Sequence, residues 1–241
     1  MNQNDFYTYG PEVGGPEKLG SLGGYLQKVF LWMLAGLGVT FGVAFGLYSM
    51  PQLLVGMVVR MPYLHMVLAV VQVLIAWNLG RHIQEMSKGM ATGLFLTYSL
   101  MNGLTFSTLL LVYQATTVIF AFLSAAVYFG VMAVYGAVTK KDLSSWGRLL
   151  GGGLIAMLIM SVLGLFLHFG VFELLVCGGG ILLFLCLTAY DTQRIKSFYS
   201  AAQHDPEMAH KAAIMGALEL YLDFINIFLY ILRMLGRSRD N

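Results

Sequence analysis

The residues of this chain that suit chemistry in a low-dielectric medium lie toward its C-terminal end. Glu219, Asp223, Asn226, Tyr230 and Arg233 follow one another at spacings of four, three, four and three. Such spacing lines up a single face of an α-helix. Leu, Ile, Phe and Met fill most of the remaining positions around them. Another acid, Asp191, sits in Thr188-Ala189-Tyr190-Asp191-Thr192-Gln193-Arg194. Taken alone it reads as an interfacial carboxylate paired with Arg194 one turn on. If the helices that carry them form a hairpin, Asp191 and Asp223 both lie inside the bundle. Two carboxyls in a low-dielectric site cannot both ionise cheaply, so they share a proton and titrate as a unit. Glu219, one turn from Asp223, is a further candidate for a cation path, or else a partner for a polar group on a neighbouring helix.

The composition says what must hold these groups. Of 241 residues, 58% are hydrophobic and 11% charged, against about 25% charged in an ordinary soluble domain. Mean hydropathy is +0.75. A soluble enzyme, a secreted disulfide scaffold and a disordered chain are excluded on this arithmetic. A net charge of +2 gives no footprint for nucleic acid. No charge lies between Lys28 and Arg60, Arg60 and Arg81, Lys88 and Lys140, Arg148 and Glu173, or Glu173 and Asp191. Each interval fits one crossing of about 20 residues or a multiple, and backbone in lipid must bond within its own segment. The chain therefore reads as an all-α membrane protein. Its seven spans fall at about 27–48, 62–79, 90–112, 118–138, 149–168, 172–190 and 212–235. Met50-Pro51 ends the first, and Tyr113-Gln114-Ala115-Thr116-Thr117 separates the third from the fourth. A central Asp facing lipid costs about 2.5–3.5 kcal/mol, so the stripe must face protein or water, with the last helix surrounded by the other six.

Residues 1–25 read as a flexible tail without the basic start or cleavage site of a signal peptide. The seven-helix domain follows over 26–236, and 237–241 form a short basic tail. The gaps after spans two, four and six carry Arg81 and Lys88, then Lys140, Lys141 and Arg148, then Arg194, Lys196 and Lys211; the other gaps carry only Arg60. The N-terminus, with Lys18 and Lys28, belongs with the rich side, which should be cytoplasmic. The last helix either spans, carrying Arg233, Arg237 and Arg239 outside against the rule, or re-enters. Gly38, Gly42 and Gly46 suit close intramolecular packing; Gly151–Gly153 and Gly178–Gly180 are packing sites or points of flexibility. Cys177 and Cys186 fall on roughly opposite helix faces, so no bridge is expected between them. The five His are scattered and form no metal cluster in sequence. Asp205-Pro206-Glu207 matches an N-cap, a first-position proline and a first-turn acid, which predicts that the last helix begins near Pro206. If the sixth span also extends toward Phe198, 191–223 becomes a helical hairpin. Rise counting then sets Asp191 ~12 Å and Asp223 ~25 Å from its turn, a mismatch that tilt or uneven helix ends must absorb.

At this point the chain resembles the Bax inhibitor-1 family, also called the transmembrane Bax-inhibitor-motif family. The resemblance rests on Lys141-Asp142-Leu143-Ser144, on Tyr190-Asp191-Thr192-Gln193-Arg194-Ile195, on 216–226 (Gly-Ala-Leu-Glu-Leu-Tyr-Leu-Asp-Phe-Ile-Asn), and on Met101-Asn102-Gly103-Leu104-Thr105. With the span count these cover nearly everything after the tail. The resemblance implies a seven-helix bundle with the last helix at its centre and a pH-sensitive calcium leak. It implies that Asp191 and Asp223 form the proton-sensing pair and the transient calcium ligands. A basic residue after span two interacts with that pair in some members, and Arg81 is the nearest match. Asn226 and Arg194 join Glu219 as secondary pore or pair partners.

The expected function is accordingly a calcium leak in which a shared proton favours the closed state. No resident cofactor is expected, and Ca²⁺ is the permeant species. Lipid, Ca²⁺ and protons are the expected partners. A chain this short and poor in loops reads as a bacterial inner-membrane member. One alternative is an interaction protein that modulates a membrane-bound protease or a stress pathway, with the tail as the contact. A lesser one is an intramembrane aspartyl protease, for which Tyr190-Asp191 fits half the pattern. The approach to Asp223 lacks the glycine-rich segment those proteases use, and no Pro-Ala-Leu segment follows it, so the chain is expected not to be an enzyme.

Overall fold

The computed structural model describes residues 21–61, 63–164, 170–202 and 205–237. They form α1 (Leu22–Tyr48), α2 (Pro51–Arg60), α3 (Leu64–His82), α4 (Lys88–Val112), α5 (Ala115–Val138), α6 (Trp146–Leu163), α7 (Gly170–Ala202) and α8 (Pro206–Arg237). Seven are long and apolar enough to cross a membrane; only α2 is not. Their outer faces confirm the medium. Ile119, Leu123, Val127, Val131, Val134 and Val138 line the outside of α5 and are at least half exposed, whereas Val118, Ala121, Ala125, Ala133 and Gly136 face inward. Large apolar side chains outside, and mostly small ones with Phe129 inside, describe a helix solvated by lipid and packed closely on its neighbours. The protein is a multi-pass helical membrane protein.

α8 is the axis of the bundle. In its membrane-length window 67% of residues are buried, against 6% for α6. It packs on α7, α5, α1, α4 and α3. Its upper half is gripped by aromatic rings: Phe224 meets Phe122 and Phe129 at 5.4 and 5.7 Å, and Phe228 meets Phe41 and Phe106 at 5.8 and 5.6 Å. Edge-to-face and tilted rings at such distances add to area burial. Lower down, the Tyr221 hydroxyl and the Thr40 hydroxyl lie 2.7 Å apart, and Thr40 donates to the carbonyls of Ser99 and Gly36. This buried network ties α8, α1 and α4 together and sets the rotation of α8 about its axis.

The chain starts its helices where side chains satisfy free amides. The Ser21 hydroxyl accepts from Gly24 N–H at 3.3 Å, so α1 begins at Leu22 and the last residues of the expected tail are already helical; 1–20 lie outside the described residues. The Asp205 carboxylate accepts from Glu207 and Met208 N–H at 2.8 and 3.1 Å, the cap expected for a helix starting at Pro206. Two expectations are corrected. Pro51 does not merely end the first span: it occupies the first turn of α2, where its missing N–H costs nothing. Gly38, Gly42 and Gly46 have nothing within 4 Å of where a Cβ would stand. The inward face of α1 runs instead through Tyr25, Val29, Met33, Gly36, Leu37, Thr40 and Ala44. Gly38 is two residues from Gly36, and about 100° per residue turns it to the far side.

The last helix runs the full length of the bundle and does not turn back. Arg233 of α8 pairs with Glu173 in the first turn of α7 at 3.8 Å, and Gly236 abuts the Tyr113 ring at the end of α4. Its C-terminal end therefore lies at the face of the bundle opposite the start of α1. That face carries Arg60, Arg233 and Arg237, while the other carries Lys28, Arg81, Lys88, Lys140, Lys141, Arg148, Arg194, Lys196 and Lys211.

The tightest backbone approach is at Gly136 of α5, where an added Cβ would run into the Ala189 carbonyl of α7. Gly136→Val should cost about 1–3 kcal/mol by overpacking and lower the thermal midpoint of the detergent-purified protein. Gly42→Val, on the open face of α1, should leave that midpoint where it is.

Candidate functional site

The acids are placed by the antiparallel pairing of α7 and α8. Ile195 packs on Gly216, Arg194 reaches Glu219, and Gly180 backs onto the Tyr230 ring; the Thr188 hydroxyl, which donates to the Phe184 carbonyl at 2.7 Å, stands near the Asp223 carboxyl. Residues descending α7 thus meet residues ascending α8 in step. Asp191, midway between Arg194 and Thr188, falls level with the stretch between Glu219 and Asp223. Two small residues allow this approach: Gly216 takes Ile195 where a Cβ would crowd it, and Gly180 does the same for Tyr230. The expected mismatch of Asp191 and Asp223 along the hairpin is reduced by length and not removed, since Asp191 still falls level with residues before Asp223. α7 runs on to Ala202 rather than stopping near Phe198, which moves Asp191 farther from the turn.

Three carboxyls therefore share one locality. Asp191 acts electrostatically on Glu219 and on Asp223, and Glu219 on Asp223. Asp191 is 8% exposed and Asp223 3%, so neither is bathed in solvent. Oδ2 of Asp223 and Oε2 of Glu219 are buried with no hydrogen-bond partner among the described residues. Oε1 of Glu219 takes a charged hydrogen bond from Arg194 at 3.3 Å, and Arg194 also lies in the field of Asp191. The Arg194 guanidinium stands over the Phe198 ring at 5.3 Å, half-exposed, and so delivers charge to the acids from the rim. The Tyr25 ring of α1 closes the same locality; its buried hydroxyl is close enough to feel Glu219 and has no hydrogen-bond partner among the described residues. Among the described residues no three or more His, Cys, Asp or Glu gather as the ligands of a resident metal. His65 and His210 instead bond Thr108 and Thr92 of α4, each at 3.0 Å.

Two clefts approach this locality from opposite ends. One, of about 440 Å³, opens between α3, α7 and α8 and is lined by Gly80, Gln84, Phe198, Met215, Arg194 and Glu219. The other, of about 280 Å³, opens between α4 and α8 at the far end and is lined by Tyr113, Asn226, Tyr230 and Arg233. Asp223 lies between them on the same stripe, one turn from Glu219 and one from Asn226, and contributes to neither lining. Asn226 donates to the Leu222 carbonyl of its own helix at 2.8 Å. Arg81 is not brought to the acids: its guanidinium lies over the Trp77 ring at 5.9 Å on the exposed side of α3. Arg194 occupies the place a basic partner would take.

The loop before α6 is bolted to the site. Gln193, two residues after Asp191, accepts from Leu143 N–H and donates to the Lys141 carbonyl, both at 2.8 Å. Asp142 in that loop accepts the Ser144 N–H at 2.9 Å and the Ser144 hydroxyl, and these bonds hold its carboxyl below the usual range. Lys196 caps α5 through the Ala137 carbonyl at 2.7 Å, and buried Lys211 caps the α3–α4 connection through the carbonyls of Gln84 and Met86 at 2.8 and 3.1 Å. Sequence reasoning singled out the Asp191 and Lys141-Ser144 segments but not Gln193, Thr188, Tyr25 or Lys211 as the ties around them. The one available signal was their polarity in apolar surroundings.

Gln193→Ala removes both loop bonds, each worth about 0.5–1.5 kcal/mol. It should destabilise the protein by about 1–3 kcal/mol and speed hydrogen exchange at the Leu143 amide. Exchange measured by mass spectrometry checks this.

The family described as "Inhibitor of apoptosis-promoting Bax1" matches residues 22–240. An uncharacterised protein of Deinococcus radiodurans is 38% identical over 90% of this chain and 91% of its own length. The inner membrane protein YbhL of Escherichia coli is 36% identical over 89% and 92%. An uncharacterised membrane protein of Streptococcus pyogenes is 30% identical over 99% and 100%.

Proposed function

This chain belongs to the Bax inhibitor-1 family, and on that footing we propose that it is a pH-gated cation leak with Ca²⁺ as its permeant ion. The observation that carries the proposal is the pair of clefts that reach the α8 stripe from opposite ends, with Asp223 sealed between them. A path along α8 would need only that layer to open. Glu219 and Asp223 would offer oxygens in succession, as a hard cation requires, and Asn226 would continue them into the far cleft.

The layer opens or closes on the charge of Asp191 and Asp223. With one proton between them they bond and pin α7 to α8. With both ionised they repel at short range in a medium that screens poorly, and the hairpin is pushed apart. The leak therefore rises with pH. Arg194 keeps Glu219 occupied and limits the negative charge left near the pair. We further place the end rich in Lys and Arg, with the start of α1, in the cytoplasm of a bacterial cell.

In vesicles that hold a calcium dye, the wild-type chain should admit Ca²⁺ faster as pH is raised. Asp223→Asn carries a neutral side chain that still bonds Asp191, so its flux should be low and flat across pH. Unchanged flux and unchanged pH dependence in that variant would sink the mechanism.

A further inference from the structure

The α7–α8 hairpin carries a second arginine–glutamate pair that the leak described above does not use. Glu173 stands in the first turn of α7 and Arg233 just before the last turn of α8. Each charge suits the partial charge of its own helix end. The antiparallel pairing brings them together at 3.8 Å, Nε to Oε1, with both side chains about half-exposed. Arg233 also lines the far cleft, beside Tyr113, Tyr230 and Asn226. It stands on the same helical face as Glu219 and Asp223. A cation crossing between Asp223 and the far side must therefore pass a guanidinium that nothing but Glu173 offsets among the described ion pairs.

Resting on the leak reading, we infer that Arg233 is the residue that sets cation selectivity at the far mouth, with Glu173 as the residue that tunes it. A fixed positive charge at the mouth of a cleft lowers the local concentration of cations, and of divalent cations most. The Glu173 carboxylate draws part of that field away and holds the guanidinium to the α7 side of the mouth. The pair is a barrier distinct from the carboxyl layer: it discriminates between ions by charge and does not depend on the proton shared by Asp191 and Asp223. Gly236, pressed on the Tyr113 ring just beyond, fixes the end of α8 so that the Arg233 backbone stays where it is.

The test compares Ca²⁺ and K⁺ flux through the full-length chain in vesicles of phosphatidylcholine and phosphatidylglycerol, scanned over pH. Arg233→Gln should raise the Ca²⁺ to K⁺ flux ratio on the order of tenfold. Arg233→Lys should keep the wild-type ratio, and Glu173→Gln should lower it. In all three the pH of half-maximal flux should stay at the wild-type value, which a general loosening of the bundle would move. An unchanged ratio in Arg233→Gln beside a leaking wild type overturns this assignment and leaves the leak standing. A wild-type chain that passes neither ion overturns the leak itself. Should Arg233→Gln fail to incorporate, Glu173→Gln decides alone: it keeps the arginine, and an unchanged ratio overturns the assignment.

Discussion

Carboxyls in a bilayer must be wrapped by protein, and the rest of this molecule follows from that requirement. A helix carrying Glu219 and Asp223 cannot stand at the edge of the bundle without facing lipid, at a cost of several kcal/mol. It therefore stands at the centre, and five other helices pack on it. The aromatic rings above and the Tyr221–Thr40 hydroxyl pair below then fix which way it faces. With that rotation set, the acids look at α7, where Asp191 completes the group. The same wrapping leaves the outer helices with little to bury: α6 touches α7 and is otherwise lipid-exposed.

The hairpin of α7 and α8 concentrates the charge of the membrane-spanning region. Arg194 with Glu219 lies on one side of the two aspartates, and Glu173 with Arg233 on the other. Each pair spans the two helices, so each helps hold the register that sets Asp191 between Glu219 and Asp223. Around this charged core the connecting segments are held by side chains reaching backbone carbonyls. Lys196, Lys211 and Gln193 all do this, and all lie on α7 or α8. The hairpin thus organises the basic end of the protein as well as its interior.

The seven spans and the central place of the last were legible because lipid leaves few options: an uncharged run of the right length is a helix, and a polar stripe points inward. The start of α8 at Pro206 was legible from its cap. The short α2 was not, because Pro51 is equally compatible with the end of one helix and the start of another. The misplaced Gly38, Gly42 and Gly46 show a related limit. Glycine spacing says that a row is smooth, but only the partner says whether the row is used, and α4 packs on the Gly36 face. In the site, the identity of the two aspartates was carried by family resemblance, while Glu219, Asn226 and Arg233 came from periodicity. That Arg194 rather than Arg81 stands by the acids depends on helix register and rotation, which no single segment encodes.

The meeting of Gly136 with the Ala189 backbone has a mechanical consequence. Where two main chains touch without side chains between them, neither helix can slip along the other. A one-turn slide would drive the Ala133 methyl into a space that admits only hydrogen. α5 and α7 therefore keep one fixed axial register, and the acid on α7 is held at one height against the helices around it.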